Sequence, residues 1–535
     1  MKLLFNLIGM IVLMAAAAGN LQSQNSAALP RRTLDAAAQA MGGWDALRAV
    51  RVQRVTSEGS EWDPMQGMRP GENRQLNSFR TTVTADFTAK SLRIEFSGQL
   101  LYPSSRPKSY AEVISLDAGM LEEKDARGAV VQTRLHPSRL ATRLRDMNRM
   151  PVHVLITASE AKDLKELPIR SRDGVSHQVL HYTDGAQGVE LMIDARTHIP
   201  VSIAYMEDDP IWGDARNEIT WSDWKSVGAV KLPHSQEQRL NGRLCKQETI
   251  KDVQNNPAAG ASVFLIPEEI RQKREEGERI AAQFVLGRIA AGVPYEDFGR
   301  PQKATLIEIA PGIFRTGGSG HQSLIVEMKD HLLVVEAPLF EERSLAVISA
   351  IKEKFPGKPV RYLVVTHFHG DHIGGLRTYV AEGAAIVAHS SIVPLLEEIL
   401  SAPRTIHPDS LALRRARDSS QKPFAFERID GIKDYSDGSR VVQLYPFPNP
   451  HSEGALLTFL PKEAITFTAD LVFANNRPID PSNENARVVY DFITKQKLKV
   501  DRLFGVHGSD LPFQQFAAAI EGKSGPVDTA PLRPR

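Results

Sequence analysis

The run Thr366-His367-Phe368-His369-Gly370-Asp371-His372 places three imidazoles and one carboxylate within residues 367–372. In locally extended backbone, side chains two apart point to the same side, so His367 and His369 can grip one ion together. Asp371 and His372, past the turn expected at Gly370, are free to face a second ion. Imidazole and carboxylate donors together suit Zn²⁺. A hydrogen-bonded buried histidine is the ordinary reading of any one of these residues. Four such donors directly after one apolar strand are not. No site closes on this segment alone, so further ligands are required downstream. Three are available: His451 in Pro448–Gly454, Asp470 after Ala464–Thr468, and His507 after Arg502–Val506. Each stands at an expected strand end beside small or turn-forming residues, where side chains can converge on a cleft. Taken singly, each is also readable as an ordinary loop residue.

The elements around these residues alternate. Strand-like Ser323–Glu327 and Leu332–Glu336 lead to an amphipathic helix over Glu341–Phe355, stopped by Pro356-Gly357-Lys358-Pro359. Tyr362–Val365 and Ala385–Ala388 follow as strands, with a helix between them. Strands alternating with helices indicate a layered α/β arrangement. Upstream the pattern differs. A helix is expected over Leu34–Val50, from Leu34, Ala38, Met41, Trp44 and Leu47. Short alternating segments then dominate, among them Ser91–Phe96, Gln178–Tyr182, Val189–Ile193, Asn217–Trp221 and Glu248–Val253. Punctuation by Gly, Pro, Asp and Asn marks them as antiparallel sheet. The expected organisation is a β-rich α+β domain over 30–256, a charged helical connector over 257–304, the α/β domain over 305–522, and an unstructured tail over 523–535. The curved sheet expected for the first domain loosely resembles the half-barrel of periplasmic lipoprotein carriers.

Composition narrows the function. The chain has 535 residues, with 42% hydrophobic and 24% charged, which excludes a disordered or collagen-like polymer. Lys and Arg number 65 against 64 Asp and Glu, so bulk charge offers nothing to nucleic acid. Cys245 is the single cysteine. It cannot form an internal disulfide or a cysteine-rich metal site, so any metal must rest on His and carboxylates. Lys2 followed by apolar Leu3–Ala18, ending in four alanines, reads as a signal peptide cleaved near residue 24. Periplasmic or secreted localisation follows, with no stable membrane span after cleavage.

With these motifs on the page, 305–511 resembles the metallo-β-lactamase superfamily. That resemblance implies an αββα sandwich with a two-metal site on one edge. Carried over, His367, His369 and His451 hold one zinc, Asp371, His372 and His507 hold the other, and Asp470 bridges both. The expected cofactor is therefore two Zn²⁺ per chain, with iron or manganese less favoured, and no organic cofactor. Asp371 and Asp470 also take the catalytic roles, lowering the charge of the metal pair and orienting its water. Without a cysteine in this domain, the ligand set resembles the glyoxalase II and lactonase branch. β-Lactam hydrolysis is then a minority expectation.

Such a pair supplies hydroxide near neutral pH, and the sequence carries no Gly-x-Ser-x-Gly nucleophile elbow. The expected activity is hydrolysis of an ester, lactone, thioester or amide carbonyl in a small-molecule substrate. Two alternatives remain: a non-haem iron oxygenase on the same fold, and an envelope lipophile-binding module with secondary hydrolase activity. Among weaker candidates, His321 is expected on the active-site rim. His389 and His407 are expected to be structural or solvent-exposed. Arg404–Arg417 offers positive charge toward an anionic substrate or, equally, a solvated helix face.

Overall fold

The computed structural model describes residues 29–102, 105–125, 127–135, 137–258, 260–273, 302–418, 423–472 and 479–523. The expected signal peptide, most of the expected connector and nearly all of the expected tail lie outside the described residues. Among the described residues no helix is long and apolar enough to cross a membrane. The chain divides into two compact units. The first contains 29–62, Gln75–Glu207 and 215–273. The second contains Asp63–Arg74, Asp208–Asp214 and 302–523.

The first unit is built on a 13-stranded sheet. Its first six strands run in sequence order from Val52–Asp63 to Val130–Arg134, and its last seven from Lys165–Arg172 to Arg243–Asn255. The two meanders meet where the first strand pairs antiparallel with the last, Val55 opposite Val253 and Glu61 opposite Lys246. Between them the chain forms the helices Pro137–Asn148 and Val154–Glu160. Alternation of polar and apolar residues lets one face of the sheet build a core. Leu180, Tyr182, Leu191, Ile203 and Trp221 pack there against Leu34, Ala38, Met41 and Leu155. The single helix expected over Leu34–Val50 is in fact two, helical over 29–40 and again over Trp44–Ala49. Gly42 causes the break. It takes φ +120°, and a Cβ there would lie 2.1 Å from the Ala229 carbonyl oxygen.

The second unit has two sheets. A seven-stranded sheet starts antiparallel (Thr305–Ala310, Ile313–Gly317, Leu324–Glu327, Leu332–Val335) and continues parallel through Val360–Val364, Ala385–His389 and Phe426–Ile429. A six-stranded sheet comprises Lys433–Ser436, Val441–Pro446, Leu456–Leu460, Ile465–Phe467, Arg502–Phe504 and Leu511–Pro512. Val326, Val335, Val364 and Val387 of the first sheet bury themselves against Val442, Leu444, Phe467 and Phe504 of the second. The buried side of Glu341–Lys354, including Val347, Ile348 and Ile351, faces inward on one flank. Val489, Ile493, Phe516 and Ile520 of two later helices cover Leu457, Phe459 and Leu503 on the other. Helices therefore flank two packed sheets, in the αββα order expected. The near-continuous apolar runs of the central strands follow from burial on both faces.

Candidate metal centre

All seven proposed donors belong to the second unit, five on loops that follow or join strands and two, Asp371 and His372, on a short helical turn. Val360–Val364 ends just before Thr366, and His367 and His369 occupy the extended segment that follows. Gly370–Ile373 forms a single helical turn that presents Asp371 and His372. Gly374, next in the chain, allows this turn to press against the segment after Leu332–Val335. A Cβ there would fall 1.6 Å from the Leu339 carbonyl oxygen. His451 lies between Val441–Pro446 and Leu456–Leu460, in a loop tied back where Leu456 N donates to Thr366 O at 2.7 Å. Asp470 and His507 follow the paired parallel strands Ile465–Phe467 and Arg502–Phe504.

The side chains converge. His367 Nε2 lies 3.3 Å from His451 Nε2, and the His369 and His451 rings are 4.6 Å apart. His372 Nε2 is 3.0 Å from Asp470 Oδ2 and 3.6 Å from Asp371 Oδ2. His507 Nε2 is 3.6 Å from Asp470 Oδ1. The donors form two compact groups, His367/His369/His451 and Asp371/His372/Asp470/His507, with ligand atoms in each group within 4.8 Å of one another. Asp470 Oδ2 also approaches His451 Nε2 to 3.6 Å, so this carboxylate stands between the groups.

Bonds made by the opposite ring nitrogens fix how four of the imidazoles point. His372 Nδ1 donates to Glu336 Oε2 at 3.0 Å. His507 Nδ1 donates to Gly320 O at 2.9 Å. His367 Nδ1 lies 3.0 Å from Thr366 Oγ1, whose hydroxyl donates to Glu336. His369 is reversed: Nε2 donates to Gly67 O at 2.9 Å. A histidine that donates outward through one nitrogen keeps the lone pair of the other turned inward, as a metal ligand requires. Among the described residues, buried His369 Nδ1 and Asp470 Oδ1 accordingly have no hydrogen-bond partner. Polar atoms orphaned in this way are costly, and a divalent cation would satisfy both. The donor set and its orientation therefore fit a metal.

Burial governs the charges. It drives His367 well below the usual imidazole range, aided by His372, His369 and His451, and lowers His369 to about 3. Both are thus neutral, as ligands must be. Burial opposes charge on His372 and Asp470 too. There the carboxylates of Asp470, Glu336 and Asp371 outweigh it and hold His372 well above its ordinary value, while His372 holds Asp470 well below its own. A cation held by this group would take the place of the His372 proton and supply the positive charge that Asp470, Glu336 and Asp371 now draw from it.

Several residues at the site carried no motif. Glu336, fully buried at 1% exposure, takes φ +79° just past Leu332–Val335 and anchors His372 and Thr366 together. Its legible trace was a carboxylate ending an apolar strand. Gln66 donates to Asp371 Oδ1 at 2.6 Å. Met65 O accepts from Gly370 N at 3.1 Å, and Met68 O from Glu453 N at 2.8 Å. The segment Asp63–Arg74 is thereby part of the site, though nothing local in its sequence announces this. His321, expected on the rim, is buried with Nε2 3.3 Å from Asp371 Oδ2, and burial lowers it to about 4. His389 caps a turn by accepting from Ser391 N, and His407 is exposed. Arg404, considered for substrate charge, is buried instead and donates to Asp209 O at 2.9 Å and Pro210 O at 2.7 Å, securing Asp208–Asp214. Cys245 is a buried residue of Arg243–Asn255.

Residues 315–507 match the family model described as the metallo-beta-lactamase superfamily. Among curated proteins, the 2,4-dinitroanisole O-demethylase subunit alpha of Nocardioides sp. (strain JS1661) is 25% identical over 176 residues, 32% of this chain and 45% of that protein. The chain thus spans less than half the length of that relative. Among solved structures, a metallo-beta-lactamase from Pontibacter korlensis is 15% identical, covering 41% of this chain and 98% of that one at a TM-score of 0.30. The metallo-beta-lactamase FIM-1 from Pseudomonas aeruginosa, in its mono-zinc form, is 18% identical, covering 41% and 94% at a TM-score of 0.29. Residues 315–507 are thus the part of the chain that is similar to the metallo-beta-lactamase superfamily.

Proposed function

We propose that the chain is an exported dinuclear zinc hydrolase acting on an ester, lactone, thioester or amide carbonyl of a small molecule. One observation carries this reading: two groups of inward-turned donors share Asp470, 3.0 Å from His372 and 3.6 Å from His451. His367, His369 and His451 would hold one cation, Asp371, His372 and His507 the other, and Asp470 both. A metal pair held this way would supply a nucleophilic hydroxide near neutral pH and an electrophile for the carbonyl oxygen. The protein's own residues do the rest. Asp371 is held by Gln66 and His321 on its two oxygens. Asp470, between the groups, is placed to accept a hydrogen bond from the attacking water and orient it. Glu336 and Thr366 keep His372 and His367 in register. Export is supported by Lys2 and the apolar run Leu3–Ala18.

The name of the Nocardioides relative favours a second reading, cleavage of an activated aryl methyl ether. The test is a panel of chromogenic esters, lactones, thioesters, cephalosporins and 2,4-dinitroanisole, run on metal-loaded protein, chelated protein and His369→Ala. Chelation and the substitution are each expected to lower turnover at least 100-fold on the preferred class. Turnover surviving both contradicts the proposal. Iron in the purified protein with dioxygen-dependent turnover replaces hydrolysis by oxygenation.

A further inference from the structure

The 13-stranded sheet of the first unit supports two separate cores on its inner face. One gathers around 29–40 and Val154–Glu160, with Leu180, Tyr182 and Leu191. The other lies beneath Pro137–Asn148, with Ala85, Leu92, Ile114 and Met147. Between them a cavity of about 230 Å³ opens. Val55 and Ile250, on the paired first and last strands, line it and belong to neither core. Val83, Ile94 and Ile219 also line it and are only half-buried. An apolar cavity of about 150 Å³ takes up benzene, so this one has room for a body of about eight to ten carbons.

One stretch of the wall is polar, and its chemistry selects a head group. Ser57 Oγ and Thr81 Oγ1 lie 2.8 Å apart, and Gln236 and Ser57 both donate to Glu248, at 2.5 and 2.8 Å. Three carboxylates, Glu61, Asp146 and Glu248, face three cations, Arg143, Arg149 and Lys246. The cations are already engaged: Lys246 with Glu248 at 3.0 Å, Arg143 with Glu112 at 2.8 Å, and Arg149 with Asp184 at 3.6 Å. The carboxylates are engaged as well, Glu248 with Lys246, Asp146 with Arg143 at 3.2 Å and Glu61 with the Asn77 amide at 2.8 Å. A head group of either charge would therefore have to take a partner from an existing contact, at a heavy desolvation cost. A neutral hydroxyl or ester oxygen loses little water and can exchange hydrogen bonds with the hydroxyl and amide groups.

We infer that this cavity is a binding site for a neutral medium-chain amphiphile, an alcohol or an ester, with its chain on Val55, Ile94 and Ile250 and its oxygen at the Ser57–Gln236 side. The inference is independent of the metal centre. The test is displacement of N-phenyl-1-naphthylamine from the full chain by 1-decanol, decanoate or decylammonium. Decanol is expected to displace the dye at a concentration at least tenfold below either ion. Ile94→Trp, which fills the cavity, should weaken decanol at least tenfold. Lys246→Met leaves a negative excess and should move preference toward decylammonium at least tenfold, even if Ile94→Trp fails to fold. Absence of displaceable dye, equal displacement by all three amphiphiles, or a Lys246→Met preference identical to wild type overturns the inference.

Discussion

Glu336→Gln isolates the outer support of the metal centre while preserving shape. The carboxylate accepts from two donors at once, His372 Nδ1 at 3.0 Å and the Thr366 hydroxyl, which in turn meets His367 Nδ1. An amide offers one oxygen and one NH₂, so one of the two donors then faces another donor. Reorientation of Thr366 relieves part of this clash but releases His367. Loss of such a partner costs about 10–100-fold in metal affinity, equivalent to about 1.4–2.7 kcal/mol. Removal of one member of a buried pair would by itself destabilise by about 3–5 kcal/mol. Here His372 can shed its proton when Glu336 no longer holds it, so the metal-free fold should lose less than that. The assay is zinc competition against a chelating dye at neutral pH, with thermal melting of the metal-free protein beside it. A folded variant whose zinc affinity lies within threefold of wild type refutes the reasoning.

Other perturbations test other levels of the account. Gln66→Ala removes the 2.6 Å donor to Asp371 and should weaken the more loosely held of the two metals about tenfold, seen as a wider separation of the two steps in a zinc titration. Glu112→Gln removes a carboxylate of 0% exposure that lies 2.8 Å from both Arg139 and Arg143, leaving Arg139 without its counter-charge and Arg143 with Asp146 alone. Urea unfolding should show a loss of about 3–5 kcal/mol. His153 stacks on Phe87 at 4.5 Å, and burial lowers it from 6.5 to about 4. The unfolded chain therefore binds more protons between those values, so this contribution is complete above pH 6.5 and lost as pH falls toward 4. It amounts to about 3 kcal/mol. His153→Leu should flatten that part of the stability–pH curve.

The side chains that converge were legible because each stands beside a strong local signal. His367, His369, Asp371 and His372 are contiguous, and His451, Asp470 and His507 each border a short apolar strand. Strands such as Leu456–Leu460 kept their expected bounds because burial on both faces leaves little room for polar residues. What supports the donors was less legible. Glu336 acts on His372 from another strand end, and Gln66 reaches Asp371 across 305 positions of sequence, a contact made by the fold rather than by any local pattern. The break at Gly42 needed knowledge of the Ala229 carbonyl beside it. Arg404 read as surface charge, whereas the backbone carbonyls of Asp209 and Pro210 draw it inward. The apolar and polar positions lining the sheet cavity alternate as in any strand, so sequence alone did not separate a packed face from a hollow one.

The account rests on two cations sharing Asp470, and anomalous scattering from zinc-soaked crystals, paired with metal analysis in solution, tests that directly. Two peaks about 3.5–4 Å apart, one beside His367, His369 and His451 and the other beside Asp371, His372 and His507, are predicted. Stoichiometry should approach two per chain in wild type and one in His451→Ala. A single peak, a peak elsewhere, or wild-type metal content in Asp470→Ala would contradict it.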